Sequence, residues 1–481
     1  MGEDDDGSVV RRDRFSGGPA RGFVSSLAAD ERIFAADLAV DRAHVVMLAE
    51  QEVVAEDDAA DILAALDEVE AAGHDALPDG EDVHEAIETA VVERVGPAGG
   101  RMHTARSRND EVAACIRYRL RSDLAEAAEA TLALREALAE TAAAGVETTM
   151  PGYTHLQPAQ PTTLAHHALS YESALRRDLG RLVDAHDRTN RSPLGAAAFA
   201  GTPFDVDRER TADLLGFDGV VENATDAVAG RDFLVESAAA LAALSLTCSG
   251  LAADLIQFAN RGYVELSDDY ASTSSIMPQK KNPDTLELAR AVAGDAVGSL
   301  TGVATTLEGL PRAYNRDLQR ADPHVWAAVD AVAEATRVCA GAVATATWDE
   351  EAMAADAGDG FSTATGVADA LASAGVPFRR AHEVVAQAGE ADVEALDDAA
   401  REVLGESLFA RVDRETVERA LDPAASVAAR DSYGGPAPEA VADALDRVET
   451  GLVRDRGRVA ERRDRAAAAA ADLAEVVAEY A

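Results

Sequence analysis

The sequence predicts an all-α protein of three helical domains, and three observations carry that expectation. Much of the apolar content, 47% of the chain, is alanine, and aromatics make up only 4%. That composition suits close-packed helices better than sheet. Several proline-free stretches of roughly 25–35 residues hold a helical pattern, well above the usual mean length. Within one of them Leu286, Ala289, Ala293, Ala296, Leu300, Val303 and Leu307 recur at alternating steps of three and four. That is a bundle seam, and its small residues allow close helix approach.

Taken in order, MGEDDDGS reads as a disordered acidic lead and lacks the apolar stretch of a secretory leader. Short helical patterns follow from about 27 to 95, broken by AAGHDALPDGED. Long helices are expected over about 110–144, 162–189, 231–260, 283–308 and 323–346. Ser107 or Asn109 is positioned to cap the first of these, with Asp110 and Glu111 favourable in its first turn. From about Asp356 the pattern returns to shorter helices with Gly and Pro breaks. The expected division is a domain of residues 1–105, a central long-helix bundle of 106–355 and a smaller helical domain of 356–481.

Charge excludes some functions. Acidic residues number 87 against 44 basic ones, a formal net charge of −43. Nucleic acid and anionic membrane surfaces need clustered positive charge, so neither is an expected partner. No uninterrupted apolar run approaches the roughly 20 residues of a membrane span. The acid is dispersed along helices, a surface suited to a halophilic cytoplasm because salt screens its self-repulsion. Cys115, Cys248 and Cys339 are far apart and odd in number. They read as reduced core thiols of a cytoplasmic protein, not as a disulfide frame or a metal site.

Three polar segments interrupt the helices: TARSRNDEV (104–112), PGYTHLQPAQP (151–161) and STSSIMPQKKNPD (272–284). Each precedes a long helix, whose free N–H groups favour anions. Arg106, Arg108 and Asn109 offer carboxylate binding, and Thr154 and His155 a hydroxyl and an imidazole. Ser274, Ser275, Lys280 and Asn282 offer a nucleophile or base, a cation and an amide. A serine acts as a base near neutral pH only if its alkoxide is stabilised, which a lysine and backbone N–H groups can do. Lys280 and Lys281 are the only lysines in the chain. Their bland reading is solvated surface charge; that of His155 is a satisfied structural histidine.

SSIMPQKKNPD resembles the signature loop of the fumarase/aspartase superfamily. PQKKNPD followed by TLELAR, with RSRND, GYTHLQPAQP, GLPRAYNRDLQ and PFRRAHE, is similar to the argininosuccinate lyase family within it. The resemblance implies reversible cleavage of argininosuccinate to arginine and fumarate, without metal or organic cofactor. It implies a homotetramer centred on a twenty-helix bundle, with active sites shared between subunits. By motif, Ser274 is the base, with Ser275 as its neighbouring alternative, His155 the acid and Glu287 the carboxylate that orients it. Lys280 and Asn282 hold the carboxylates and developing charge. Ser26, Asn109, Thr154, Tyr314 and Gln319 match substrate contacts, and Arg106, Arg108 and Arg231 are candidate carboxylate ligands.

Three positions depart from the family pattern. Thr273 replaces a glycine before the serines. Asp322 stands where many members carry a lysine, with Arg316 or Arg320 as substitute cations. RRDRF leaves only Arg14 and Phe15 of an N-terminal motif. Competing readings are a lyase for a different succinyl adduct, a family member that keeps the fold without activity, and an acidic helical scaffold.

Dispersed acidity predicts an assembly that depends on salt. In sedimentation across a salt range, the oligomer should give way to smaller species as ionic strength falls; an unchanged profile would remove this account.

Overall fold

The computed structural model describes residues 20–480. The acidic lead, Arg14 and Phe15 lie outside the described residues. Three helices open the fold: α1 (Phe34–Glu50), α2 (Glu56–Ala72) and α3 (Val83–Val95). Asp82 caps α3 by accepting from the Glu85 N–H at 2.8 Å.

The five long helices are α4 (Arg108–Ala144), α5 (Leu164–Thr189), α6 (Asp232–Arg261), α7 (Asp284–Leu307) and α8 (Asp322–Ala344). Of the two candidate caps of α4, Ser107 takes the role. Asp110 returns a carboxylate to the Ser107 N–H at 3.0 Å, completing a capping box. Helix α5 starts later than expected because Gln157–Thr163 (β2) pairs antiparallel with Thr149–Thr154 (β1). β-branching at Thr149, Thr162 and Thr163 favours the ladder there. Gly152 is required at the bulge in β1, since a Cβ would lie 2.5 Å from the Gln160 carbonyl oxygen.

The bundle helices alternate in direction. The first residues of α4, α6 and α8 sit around one cleft, whereas α5 and α7 start at the far end after the intervening connections. One apolar core joins this bundle to α1–α3. The seam in α7 turns inward: Leu286, Ala289, Ala293, Ala296 and Val303 are buried, and Leu300 and Leu307 pack beside them. By length and composition α6 could cross a bilayer. In this fold it packs against α5, α7 and α8, with half its most apolar window buried.

A second core lies between Val367 and Val417, in helices α9 (Ala364–Ser373), α10 (Phe378–Ala388), α11 (Val393–Leu404) and α12 (Arg414–Leu421). The last helix, α13 (Pro438–Ala478), returns to the first core through Val441, Val448, Leu452, Val459 and Leu473. Its 41 residues differ from the short helices expected here. Gly451 and Gly457 each weaken a helix by about 1 kcal/mol, but long tertiary packing overrides that propensity.

Arg135 ties this arrangement together. Its fully buried guanidinium donates to Glu172 at 3.0 and 2.7 Å and to Asp455 at 2.9 Å, joining α4, α5 and α13. Removing one member of a buried ion network leaves uncompensated charge. Arg135→Met should therefore destabilise the protein by about 3–5 kcal/mol, read as a shift of the urea midpoint at constant salt.

Candidate active site

Ser26, Arg108, Asn109, Arg231, Tyr314 and Gln319 line one cleft of about 760 Å³. The first turns of α4, α6 and α8 form its walls, with the chain before α1 and α3. Asn109 is positioned by its amide, which donates to the Ala198 carbonyl at 3.0 Å. Beside it, Asp110 accepts from the Gly195 and Ala197 N–H groups at 3.0 and 2.8 Å, fixing the 191–209 loop. Burial pushes the Asp110 carboxyl up to about 6. Tyr314 packs against Ala196, Ala227 and Val228, and Ser26 donates to Asp30 at 2.7 Å. Arg231 is buried and spends one nitrogen on the Val228 and Gly230 carbonyls. Burial lowers its pKa to about 10.

Arg106 is a correction to the expected ligand set. Its side chain is buried and already bonded to Asp41 at 2.6 Å and Glu111 at 3.0 Å. Its charge serves the interior, because a buried carboxylate needs a partner. Two groupings here, Asp37–His84–Cys115 and Asp37–Asp41–Glu111, are close enough to share a cation. They hold the Arg106 guanidinium and the His84 imidazole between them instead.

The remaining expected residues lie at the far end of the bundle, beyond the ends of α4 and α6. Thr154 and His155 are at the tip of the β1–β2 hairpin, exposed. His155 and Leu156 form its two-residue turn with φ of 55° and 60°. Both residues sit where a Cβ is disfavoured, a strain typical of functional positions. The hairpin is anchored by Met150 and Leu164 against Phe258 and Tyr263, and by Tyr153 and Tyr263, whose hydroxyls meet at 3.0 Å.

The lysine pair occupies a short ladder in which Ser272–Thr273 (β3) pairs with Lys281–Asn282 (β4). The Ser274 N–H continues it by donating to the Lys280 carbonyl at 3.3 Å. Strand alternation therefore puts Ser274, Lys280 and Asn282 on one face and Lys281 on the other. Lys281 pairs with Glu265 at 3.2 Å and Asp268 at 2.7 Å, the solvated ion pair of the bland reading. Lys280 has no ion pair among the described residues. Ser274 Oγ accepts from the Ile276 and Met277 N–H groups at 3.3 and 3.1 Å. Those donors favour a developing alkoxide.

Thr273 lies in extended backbone, so the missing glycine causes no strain in this loop. Gly341 seats the loop's base, since a Cβ there would collide with the Tyr270 hydroxyl. Glu287 is exposed in the first turn of α7, and among the described residues no hydrogen bond or ion pair joins it to His155.

Sequence reasoning missed Asp30 and His84 in the cleft wall. The clue was present: DVHE places a histidine in the first turn of a helix whose cap is Asp82. Of the two substitute cations near Asp322, Arg316 is bound to Glu81, while Arg320 lines the cleft without an ion pair among the described residues.

Comparison with known proteins adds to this geometry. The family described as Lyase matches residues 22–298, and that described as Argininosuccinate lyase C-terminal matches 361–428. The chain is 67% identical over 482 residues to the argininosuccinate lyase of Natronomonas pharaonis, covering 100% of this chain and 98% of that protein. It is 69% identical to the argininosuccinate lyase of Halobacterium salinarum, covering 93% of each. Among solved structures, EDDS lyase in complex with formate superposes with a TM-score of 0.87 at 34% identity, over 96% of this chain and 95% of that one.

Burial pushes Asp322 up to about 7, with nearby Asp30 adding to the shift and Arg231 opposing it. A carboxyl whose pKa is higher folded than unfolded takes up a proton on folding. Its contribution is therefore present below the ordinary value of 3.8 and lost as pH rises through about 7. Asp322→Asn removes that loss, so its stability relative to wild type should climb between pH 4 and about 7, by urea midpoints at fixed salt.

Proposed function

The chain belongs to the argininosuccinate lyase family, and on that premise we propose that it cleaves argininosuccinate to arginine and fumarate with Ser274 as base and His155 as acid. The observation that carries this is the register of β3 and β4, which the Ser274 N–H extends to the Lys280 carbonyl, so that Ser274 stands opposite Lys280 and two residues from the Ser272–Asn282 pair.

Ser274 takes a proton from the carbon next to a succinyl carboxylate. The electron pair left behind spreads into that carboxylate, then forms the new C=C bond as the C–N bond breaks. His155 gives a proton to the departing guanidino nitrogen. One cation about 4 Å from the developing charge supplies roughly 4 kcal/mol at an effective dielectric near 20. Enzymes need about 8–23 kcal/mol. Lys280 therefore acts with other donors, Asn282 among them, and the reading requires a composite pocket.

One chain cannot build that pocket. Asn109 lies in the first turn of α4 and the His155 hairpin follows its end, and 37 residues of helix span about 55 Å. Ser26, Arg108, Asn109, Arg231, Tyr314 and Gln319 are proposed to hold substrate on one subunit, while Thr154, His155, Ser274, Lys280, Asn282 and Glu287 come from others. Glu287 orients His155 across a subunit boundary in this reading. Exposed Leu246 on α6 and exposed Leu288 and Val297 on α7 suit burial between bundles of a homotetramer. Three free, buried cysteines suit a reducing cytoplasm. The 67% identity to an argininosuccinate lyase, against 34% to EDDS lyase, favours argininosuccinate as the substrate.

The purified protein should release fumarate from argininosuccinate, followed by its absorbance. Ser274→Ala and His155→Asn should each abolish turnover with the fold intact. Mixing the two inactive proteins under subunit exchange should restore part of it, since some sites then receive both native groups. No recovery despite exchange would place both groups on the same subunit's contribution to a site.

A further inference from the structure

The hairpin tip that carries Thr154 and His155 has little of its own to hold it. Residues 154–158 are all exposed. Among the described residues none of them hydrogen-bonds to anything outside the hairpin. The two-residue turn keeps φ of 55° and 60°, a conformation that persists only where the surroundings over-determine it. A two-stranded hairpin is marginal by itself, so the tip takes its position from whatever grips the strands.

The grip that reaches furthest along β1 is a chain of three side chains. Tyr153, next to Thr154, meets the Tyr263 hydroxyl at 3.0 Å, and Tyr263 donates to Asp356 Oδ2 at 2.7 Å. A phenol carries one hydrogen, and Tyr263 gives its own to Asp356. Tyr153 is therefore the donor in the first bond. Tyr263 is wholly buried, in one apolar cluster with Phe258 and Met353. Its backbone is fixed as well: the N–H donates to the Phe258 carbonyl and the carbonyl accepts from the Asp349 N–H, both at 2.9 Å. Asp356 ends the helix Glu350–Asp356, where the helix dipole disfavours an anion. The Tyr263 hydroxyl supplies a compensating donor there. On its other side the Arg261 guanidinium lies 4.5 Å from the centre of the Tyr153 ring and orients it. Burial and both partners push the Tyr263 phenol above its ordinary range, so it stays a donor at working pH.

Resting on the proposed role of His155 as acid, we propose that Tyr263 is a positioning residue for the reaction. Held by Asp356, its hydroxyl fixes Tyr153 and through it the Thr154–His155 tip, which a neighbouring subunit's cleft receives. Tyr263 itself touches no substrate, and no bond to it is made or broken.

Tyr263→Phe removes the hydroxyl and keeps the ring in its cluster. In the assembled protein kcat should fall roughly 10- to 100-fold, the scale of loss that a misplacement of about 1 Å brings. KM should stay within about threefold of wild type, because Ser26, Asn109, Tyr314 and Gln319 are untouched. Tyr153→Phe should act likewise, and the double variant should be no slower than the slower single one, since both delete the same bond. Tyr171→Phe also deletes a hydroxyl bonded to a carboxylate, Asp254 at 2.6 Å, but on α5, and should leave kcat within about twofold. Subunit exchange separates positioning from general loosening. Exchange of Tyr263→Phe with Ser274→Ala should raise activity above that of the unmixed proteins together, and exchange with His155→Asn should not, because Tyr263 and His155 serve the same hairpin. A fall in kcat of less than about fivefold, a KM that rises as far as kcat falls, or an equal loss in Tyr171→Phe would overturn the proposal. If Tyr263→Phe does not assemble, Tyr153→Phe carries the test at the same limit. Wild-type protein that fails to cleave argininosuccinate, or His155→Asn protein that cleaves it at full rate, defeats the functional reading instead.

Discussion

An α-helix advances 1.5 Å per residue, and that rise governs where chemistry can occur in this molecule. Helices α4 and α6, of 37 and 30 residues, begin beside the cleft and end at the far side of the bundle. The polar segments between helices therefore sort by end. Residues preceding α4, α6 and α8 gather around the cleft, while the hairpin before α5 and the lysine ladder before α7 gather about 45–55 Å away. A rigid bundle cannot bend to bring them together, because its interior is close-packed. The proposed catalysis consequently depends on neighbouring copies presenting opposite ends to one another.

The same bundle explains how so acidic a chain keeps its interior intact. Arg106, Arg121 and Arg135 are buried. A guanidinium stays charged at any working pH and bonds several acceptors in a plane, so it can neutralise paired carboxylates without water. Arg135 does so for Glu172 and Asp455, and Arg106 for Asp41 and Glu111. Lysine suits a different task. Its compact ammonium on a flexible stem can follow charge that appears only during reaction. The lysines stand on opposite faces of one ladder: Lys281 secures it to Glu265 and Asp268, which leaves Lys280 available on the face of Ser274.

Much of the fold was legible in the sequence because helix periodicity is local. The seam beginning at Leu286 and the approximate extents of the five long helices follow from spacing, and the start of α4 from its capping chemistry. Helix α13 was not legible, since its interior glycines argue locally for breaks while its stability comes from packing on α4, α1 and α5. The hairpin tip was also hidden: histidine and leucine do not announce a turn with positive φ, and the turn exists because its base is packed. The family of the chain was legible from three motif loops. Arg106 shows the limit of motif reasoning, because an arginine beside a binding loop looks the same in sequence whether it faces a ligand or Asp41.

By itself the sequence determined that the chain is helical, acidic on its surface, and equipped with a serine, a histidine, a lysine and an asparagine in family-like segments. Periodicity, charge and motif are properties of neighbours along the chain. Tertiary structure alone decided which lysine is spent on surface acids, which arginines are sealed in the core, and that His84 borders the cleft with Asp37 behind it. Those outcomes depend on contacts between residues tens to hundreds of positions apart, where burial and Coulomb partners, not local spacing, set what each side chain can do.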